Sequence, residues 1–246
     1  MTAASSTGRF SNPTPALLRR WNRRRALWFS DKTREWTAKV GLAVTCLALG
    51  LATAARFGMV LAAAPAGLDV PRAALLFALI CRAVFYLLVC WFAFVRCPAV
   101  KRASGWRPRA IALLGTFSVL GFGLLPPAPL LAAWHLVAAT LFLLSAALAV
   151  AVLMRLGRSL SIMPEARRLV TSGPYRFVRH PLYLVEELAA VAGFIEAFSL
   201  AAALLFVAQV ALQLYRIENE EAVLTTAFPD YSRYKASTAR LLPGLW

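Results

Sequence analysis

Acidic residues are scarce in this sequence: 11 Asp and Glu stand among 246 residues, and charged residues of both signs make up only 15%. An ordinary globular chain carries about 25% charged residues, so the material for a water-soluble surface is short. Four cysteines, Cys46, Cys81, Cys90 and Cys97, show no Cys-x-x-Cys spacing and no neighbouring His. Neither a disulfide framework nor a zinc site follows from them, and they read as small apolar packing residues. The Gly-x-Gly-x-x-Gly turn of a dinucleotide fold is missing as well. The one Gly-x-Gly, Gly121-Phe122-Gly123, lies in an apolar stretch without a third glycine, a context that suits helix packing.

What the sequence does hold is apolar surface and positive charge. Sixty per cent of residues are hydrophobic, mean hydropathy is +0.66, and 27 Lys and Arg leave a formal charge of +16. In a soluble protein that balance would point to nucleic acid. Here the basic residues flank long apolar runs, which points to a bilayer and away from disorder, DNA binding or a secreted disulfide scaffold.

A helix needs about 20 apolar residues to cross the hydrocarbon core. Candidate spans are Lys39–Ala64, Ala73–Val95 (with Arg82 near its middle), Ala110–Leu125 and Leu130–Met154. The last apolar run, Leu182–Ile217, would be about 54 Å long as one helix against a core of about 30 Å. It is therefore expected to fold as two helices turning near Ala197–Ser199. The expected fold class is all-α: a polytopic membrane helix bundle of about six transmembrane helices. With six spans, every Lys and Arg except Arg56, Arg72 and Arg82 falls on one side, so the positive-inside rule puts both termini in the cytoplasm.

Three regions follow. Residues 1–38 are a basic N-terminal segment. Within it, residues 1–14 have the Ser/Thr/Pro/Gly composition of a disordered stretch, and no cleavable signal peptide is read. From Pro15 to Trp36, apolar residues interleave with arginines, as in an interfacial helix on anionic lipid or an orienting tail without fixed structure. Residues 39–154 hold four spans, and residues 155–246 form a C-terminal core.

That core interrupts the membrane pattern. It contains eight of the 11 acidic residues and the run RLGRSLSIMPEARRLVTSGPYRFVRHPLYLVEE. Gly173-Pro174 marks a tight turn, and Pro181 suits the first position of a helix entered at His180. An interfacial aromatic belt accounts for Phe177; Tyr175 and Tyr183 flank the same His and are site candidates. Glu186 and Glu187 sit one turn inside an apolar helix, a costly position, with pairing to Arg82 or snorkelling to the interface as the two expectations. Downstream, Arg216 and Glu220 share one helix face, as do Ile217 and Glu221; a juxtamembrane salt bridge is the bland reading. His135, in the fourth span, reads as a satisfied interhelical polar residue. Because both clusters fall at cytoplasmic ends of adjoining helices, donors, aromatics and carboxylates would face a cytosolic ligand beside lipid. Such a site suits a soluble cofactor meeting a lipophilic substrate.

At this point the residues resemble a known family. LVTSGPYRFVRHPLY, then R-x-x-x-EE-x-x-L, FPDYSRY and RLLPG, in that order, are similar to the isoprenylcysteine carboxyl methyltransferase and phospholipid methyltransferase superfamily, over about residues 155–246. The resemblance implies an integral-membrane methyltransferase using S-adenosylmethionine at the cytoplasmic face, in a bacterial inner membrane. Carried over by position, cofactor contacts fall on Leu169, Val170, Tyr175, His180, Pro181, Leu182, Tyr183, Glu220 and Glu221. Arg216 faces the methyl acceptor, and Arg216 and Glu220 are the catalytic candidates. The implied partners are the bilayer and a lipophilic or lipid acceptor, with no nucleic acid and no metal. Val185 stands where many relatives have Gly, and Phe228-Pro229 where Phe-Gly is more usual. The alternatives are an NADPH-dependent reductase of the sterol-reductase type and a non-enzymatic membrane protein such as a transporter or accessory subunit.

Overall fold

The computed structural model describes residues 15–62 and 70–244; the expectation for residues 1–14 lies outside them. The chain divides into two units, 1–42 and 43–246. The described part of the first, residues 15–42, is helical, within α1 (Pro15–Ala62). The second unit is nearly all helix: α2 (Val70–Val95), α3 (Arg107–Phe117), α4 (Ala132–Leu156), α5 (Pro181–Glu196), α6 (Leu200–Ala227) and α7 (Tyr231–Ser237).

Four helices are long and apolar enough to cross a membrane: Glu35–Ala62, Leu75–Val95, Ala133–Ser159 and Leu200–Ala227. Their outward side chains are large and apolar, among them Leu51, Leu87, Trp91, Leu204 and Val207, each more than 60% exposed. Apolar faces of that extent have lipid rather than water as their solvent.

The expected span Ala110–Leu125 is not one continuous α-helix. Regular helix stops at Phe117 and continues as a 3₁₀ segment, Ser118–Leu124. Gly115, Gly121 and Gly123 lower helix propensity here, and Pro126-Pro127 ends the segment. Eleven residues of α-helix cover only about 17 Å. The long C-terminal run does break where expected. α5 ends at Glu196, and Ser199 caps α6 by accepting from the Ala202 backbone N–H at 3.2 Å. Its 16 residues make α5 about 24 Å long, too short for the usual span.

α4 is the centre of the second unit, packing along both α2 and α5. Small residues permit the close approach: Ala138 on α4 and Ala190 and Ala192 on α5 are fully buried, as at other membrane helix contacts. The Ser145 hydroxyl donates to the Val185 carbonyl at 3.0 Å, and Val185 packs with Val152 and Tyr175. Thus the residue that replaces the more usual Gly is spent on the α4 contact. A second cluster joins Phe122 of the 3₁₀ segment to Ala190, Ala197 and Ala202. Gly121 packs here too, since a Cβ would lie 3.0 Å from Leu205. His135 bridges to Glu196 at 3.0 Å, joining the start of α4 to the end of α5.

The Arg-rich stretch after α4 is held by a two-residue antiparallel ladder between β1 (Lys101–Arg102) and β2 (Glu165–Ala166). Glu165 accepts from Arg167 at 2.6 Å and pairs with Arg102 at 3.3 Å. Arg167 also donates to the Cys97 carbonyl. This strut carries the chain into the turn that precedes α5.

Candidate active site

The turn Gly173–Arg176 is a 3₁₀ segment that opens with Gly173 at φ +65°, backbone that a Cβ disfavours. It buries Tyr175, whose carbonyl accepts from the Tyr234 hydroxyl at 2.5 Å. Phe177, by contrast, is exposed under Arg176, 4.3 Å from its ring centroid. The belt reading fits Phe177, while Tyr175 and Tyr183 are interior.

Strand-like pairing with the tail fixes the next three residues. The Arg179 and His180 N–H groups donate to the Ala239 and Arg240 carbonyls at 2.8 and 3.2 Å. α5 then starts at Pro181, a residue with no N–H to orphan at a first helical position.

Glu221 is the knot of this region. Its carboxylate lies 2.9 Å from Arg179 Nε, 3.2 Å from His180 Nε2, 3.1 Å from Lys235 Nζ and 3.3 Å from Arg240 Nη2. A carboxylate only accepts, so His180 Nε2 carries the hydrogen. Arg179 additionally donates to the Lys235 carbonyl at 2.9 Å and to that of Thr238. Arg179 and Glu221 are therefore consumed in tying α5, α6 and the tail together. Tyr231, fully buried, packs edge-on to Tyr234 at 6.0 Å. Burial holds the Tyr234 hydroxyl up to about 12, and burial, with Glu220 nearby, keeps that of Tyr175 well above its usual range. Both stay protonated donors.

One helix turn away lies a second set. The His180 and Tyr183 rings stack at 5.4 Å with 3° between planes. Tyr183 donates to Glu220 Oε2 at 2.6 Å, and the Arg216 guanidinium sits 4.4 Å from the Tyr183 ring centroid. Arg216 Nη1 donates to Glu186 at 2.8 Å and to Gln213 at 2.6 Å, while Gln213 also donates to Glu186 at 2.8 Å. The bland salt bridge between Arg216 and Glu220 is not formed. Nor do Glu186 and Glu187 seek Arg82, which lies over the Phe142 ring at 6.0 Å. Glu186 meets Arg216, and Glu187 accepts from Gln209 at 3.2 Å; Ser118 bonds Gln209 in turn.

Of the sequence candidates, Tyr175, His180, Tyr183, Arg216, Glu220 and Glu221 thus belong to one connected end of the α5–α6 pair. Val170 and Leu182 pack against the Tyr175 cluster, Pro181 is buried behind it, and Leu169 is half-buried in the preceding loop. Sequence reading missed Glu186 as the Arg216 partner, and it missed Gln209 and Gln213. The signal was present: Gln209, Gln213, Arg216 and Glu220 recur at four, three and four residues, one polar stripe on an apolar helix. Beside them is a crevice of about 170 Å³ lined by Pro108, Ala112, Ile162, Pro164, Tyr183, Arg216 and Asn219.

Among the described residues no group of three or more His, Cys, Asp or Glu is placed to hold a metal ion. No curated protein matches the chain. Residues 136–226, over a third of the chain and running through α4, α5 and nearly all of α6, match the family model of the isoprenylcysteine carboxyl methyltransferase (ICMT) family. The match holds every candidate site residue and stops short of α7 and the tail, and the superfamily resembled in the RHPLY motif and the Glu pair is the one to which this segment belongs.

Proposed function

We propose that this protein is an integral-membrane methyltransferase that uses S-adenosylmethionine to methylate a lipophilic acceptor. The observation that carries the reading is the state of Glu220. Its carboxylate accepts from Tyr183, yet among the described residues no cation pairs with it, because Arg216 on the same helix face turns to Glu186. An unneutralised carboxylate beside Tyr183, His180 and buried Tyr175 fits a cofactor bearing a positive sulfonium and an amino group. Leu169, Val170, Pro181 and Leu182 supply apolar surface for the rest of it.

When bound, the cofactor supplies an electrophilic methyl group on a positively charged sulfur. The chain then needs no nucleophile of its own; its residues bind and orient. Glu220 holds positive charge at a position fixed by the Tyr183 hydroxyl. Arg216, anchored through Nη1, has the rest of its guanidinium fork for an acceptor carboxylate or phosphate. Because Arg216 and Tyr183 line the crevice shared with Pro108, Ala112 and Ile162, the acceptor's polar end would rest there with apolar wall beside it. Glu221 acts through the tail, holding His180 and Arg179.

The basic-residue distribution supports about six crossings. α3 with its 3₁₀ continuation and α5 are the two short passages, both termini are cytoplasmic, and the site opens at the cytoplasmic face of an inner membrane. Calorimetric titration of S-adenosylmethionine into the purified full-length protein tests the cofactor. Saturable binding that is lost in Glu220→Gln supports the reading. No binding, together with thermal protection by NADPH, would replace it with the reductase.

A further inference from the structure

The residue that sets where Arg216 lies is outside the family-matched segment. α3 buries only two residues, Ala112 and Gly115, and Gly115 faces Arg216. A methyl group placed on Gly115 would lie 2.4 Å from Arg216 Cδ, 3.4 Å from Cγ and 3.5 Å from Nε. A Cβ and the observed Arg216 conformation cannot coexist. Arg216 Nε is buried and makes no hydrogen bond, so on this side the guanidinium meets bare backbone and not a partner. The backbone there is tied: the Ser118 hydroxyl donates to the Gly115 carbonyl at 3.2 Å and also contacts Gln209. Arg216 is thus bounded by α3 at Gly115, by the Tyr183 ring, and by Glu186 and Gln213.

We propose that Gly115 is a positioning residue for Arg216. The absence of a side chain at this one point of α3 lets the arginine stem lie flat against the helix, which places the guanidinium over Tyr183 and at the crevice where the acceptor's polar group rests. This rests on the reading of Arg216 as the acceptor-facing cation. A Cβ at position 115 moves the arginine stem, and the guanidinium leaves its place over Tyr183. The fold survives, since Ala is the better helix former and the neighbour that must move is a flexible side chain.

The test uses the full-length protein in detergent and two readouts. In the first, phenylglyoxal modification of Arg216 is followed by peptide mass analysis. Gly115→Ala is expected to raise the rate several-fold, and Gly123→Ala, whose Cβ would meet nothing within 4 Å, leaves it unchanged. In the second, transfer from labelled S-adenosylmethionine to a total membrane lipid extract falls about 10–100-fold in Gly115→Ala, as expected for a misplaced contact, while cofactor affinity stays within about twofold. Unchanged Arg216 labelling, or faster labelling with full transfer, overturns the proposal. An equal loss of cofactor affinity also overturns it, because that marks general damage. If Gly115→Ala lowers the melting temperature, Gly115→Ala/Arg216→Ala is compared with Arg216→Ala. Equal stability supports the contact as the cause, and lower stability of the double variant refutes it. If the wild-type protein transfers no methyl group, the functional reading fails, while the labelling readout still decides whether Gly115 holds Arg216.

Discussion

Arg216 pairs with Glu186 across the α5–α6 interface, at 2.8 Å, and not with Glu220 one turn along its own helix. This leaves Glu220 with a tyrosine hydroxyl as its only side-chain partner among the described residues, and it ties the acceptor-side cation to the neighbouring helix. Removing Glu186 strands a buried guanidinium. Breaking a buried pair costs about 3–5 kcal/mol, and because Glu186 is partly exposed the lower end applies. Glu186→Ala is expected to lower the melting temperature in detergent by several degrees, and Glu186→Gln by less, because the amide still accepts from Arg216. Equal stability of wild type and Glu186→Ala would show that the pair carries no weight.

Tyr183→Phe removes one hydroxyl and leaves the ring under Arg216. The Glu220 carboxylate then loses its orienting donor, and affinity for S-adenosylmethionine should weaken about tenfold, or about 1.4 kcal/mol. Melting temperature should change little. An affinity equal to wild type in calorimetry would detach Tyr183 from the cofactor site.

Glu221 has a different expected signature. Four cationic groups converge on it, two of them from α7 and the tail. Glu221→Gln should release that tail, read as faster amide exchange over residues 231–240 and as new proteolysis beyond Ala227. A variant that loses cofactor affinity with the tail still protected would make Glu221 a direct ligand.

Orientation is tested by reporter fusions after Trp246 and within the loop between α1 and α2. The six-crossing arrangement requires a cytoplasmic signal from the first and a periplasmic signal from the second. A periplasmic signal after Trp246 contradicts it.

The C-terminal site was legible because polar residues are so few. In a chain with 11 acidic residues, Glu220, His180 and Tyr183 stand out against apolar neighbours, and motif order did the rest. Partnerships were less legible. Glu186 and Glu187 are adjacent, so they point in different directions from a helix, and sequence alone does not say which neighbour each meets. Arg82 was a reasonable partner by depth, yet Arg216 is the one across the interface. The stripe from Gln209 to Glu220 was readable by period, but its meaning depends on which helix faces it. The third apolar run misled for a physical reason: hydropathy counts Gly115, Gly121 and Gly123 as neutral, while helix propensity does not. Gly115 itself carried no signal, because a close approach is a property of two elements and not of one.

The central claim is that Glu220 and Arg216 serve methyl transfer at this end of α5 and α6. Membranes containing the protein are incubated with methyl-labelled S-adenosylmethionine, and the labelled lipid fraction is resolved by mass. Label is expected in a lipophilic product with wild type, at about one tenth or less with Glu220→Gln and with Arg216→Ala, while both variants remain inserted in the membrane. Label in the lipid fraction that is independent of the protein, or full transfer by both variants, would contradict the account.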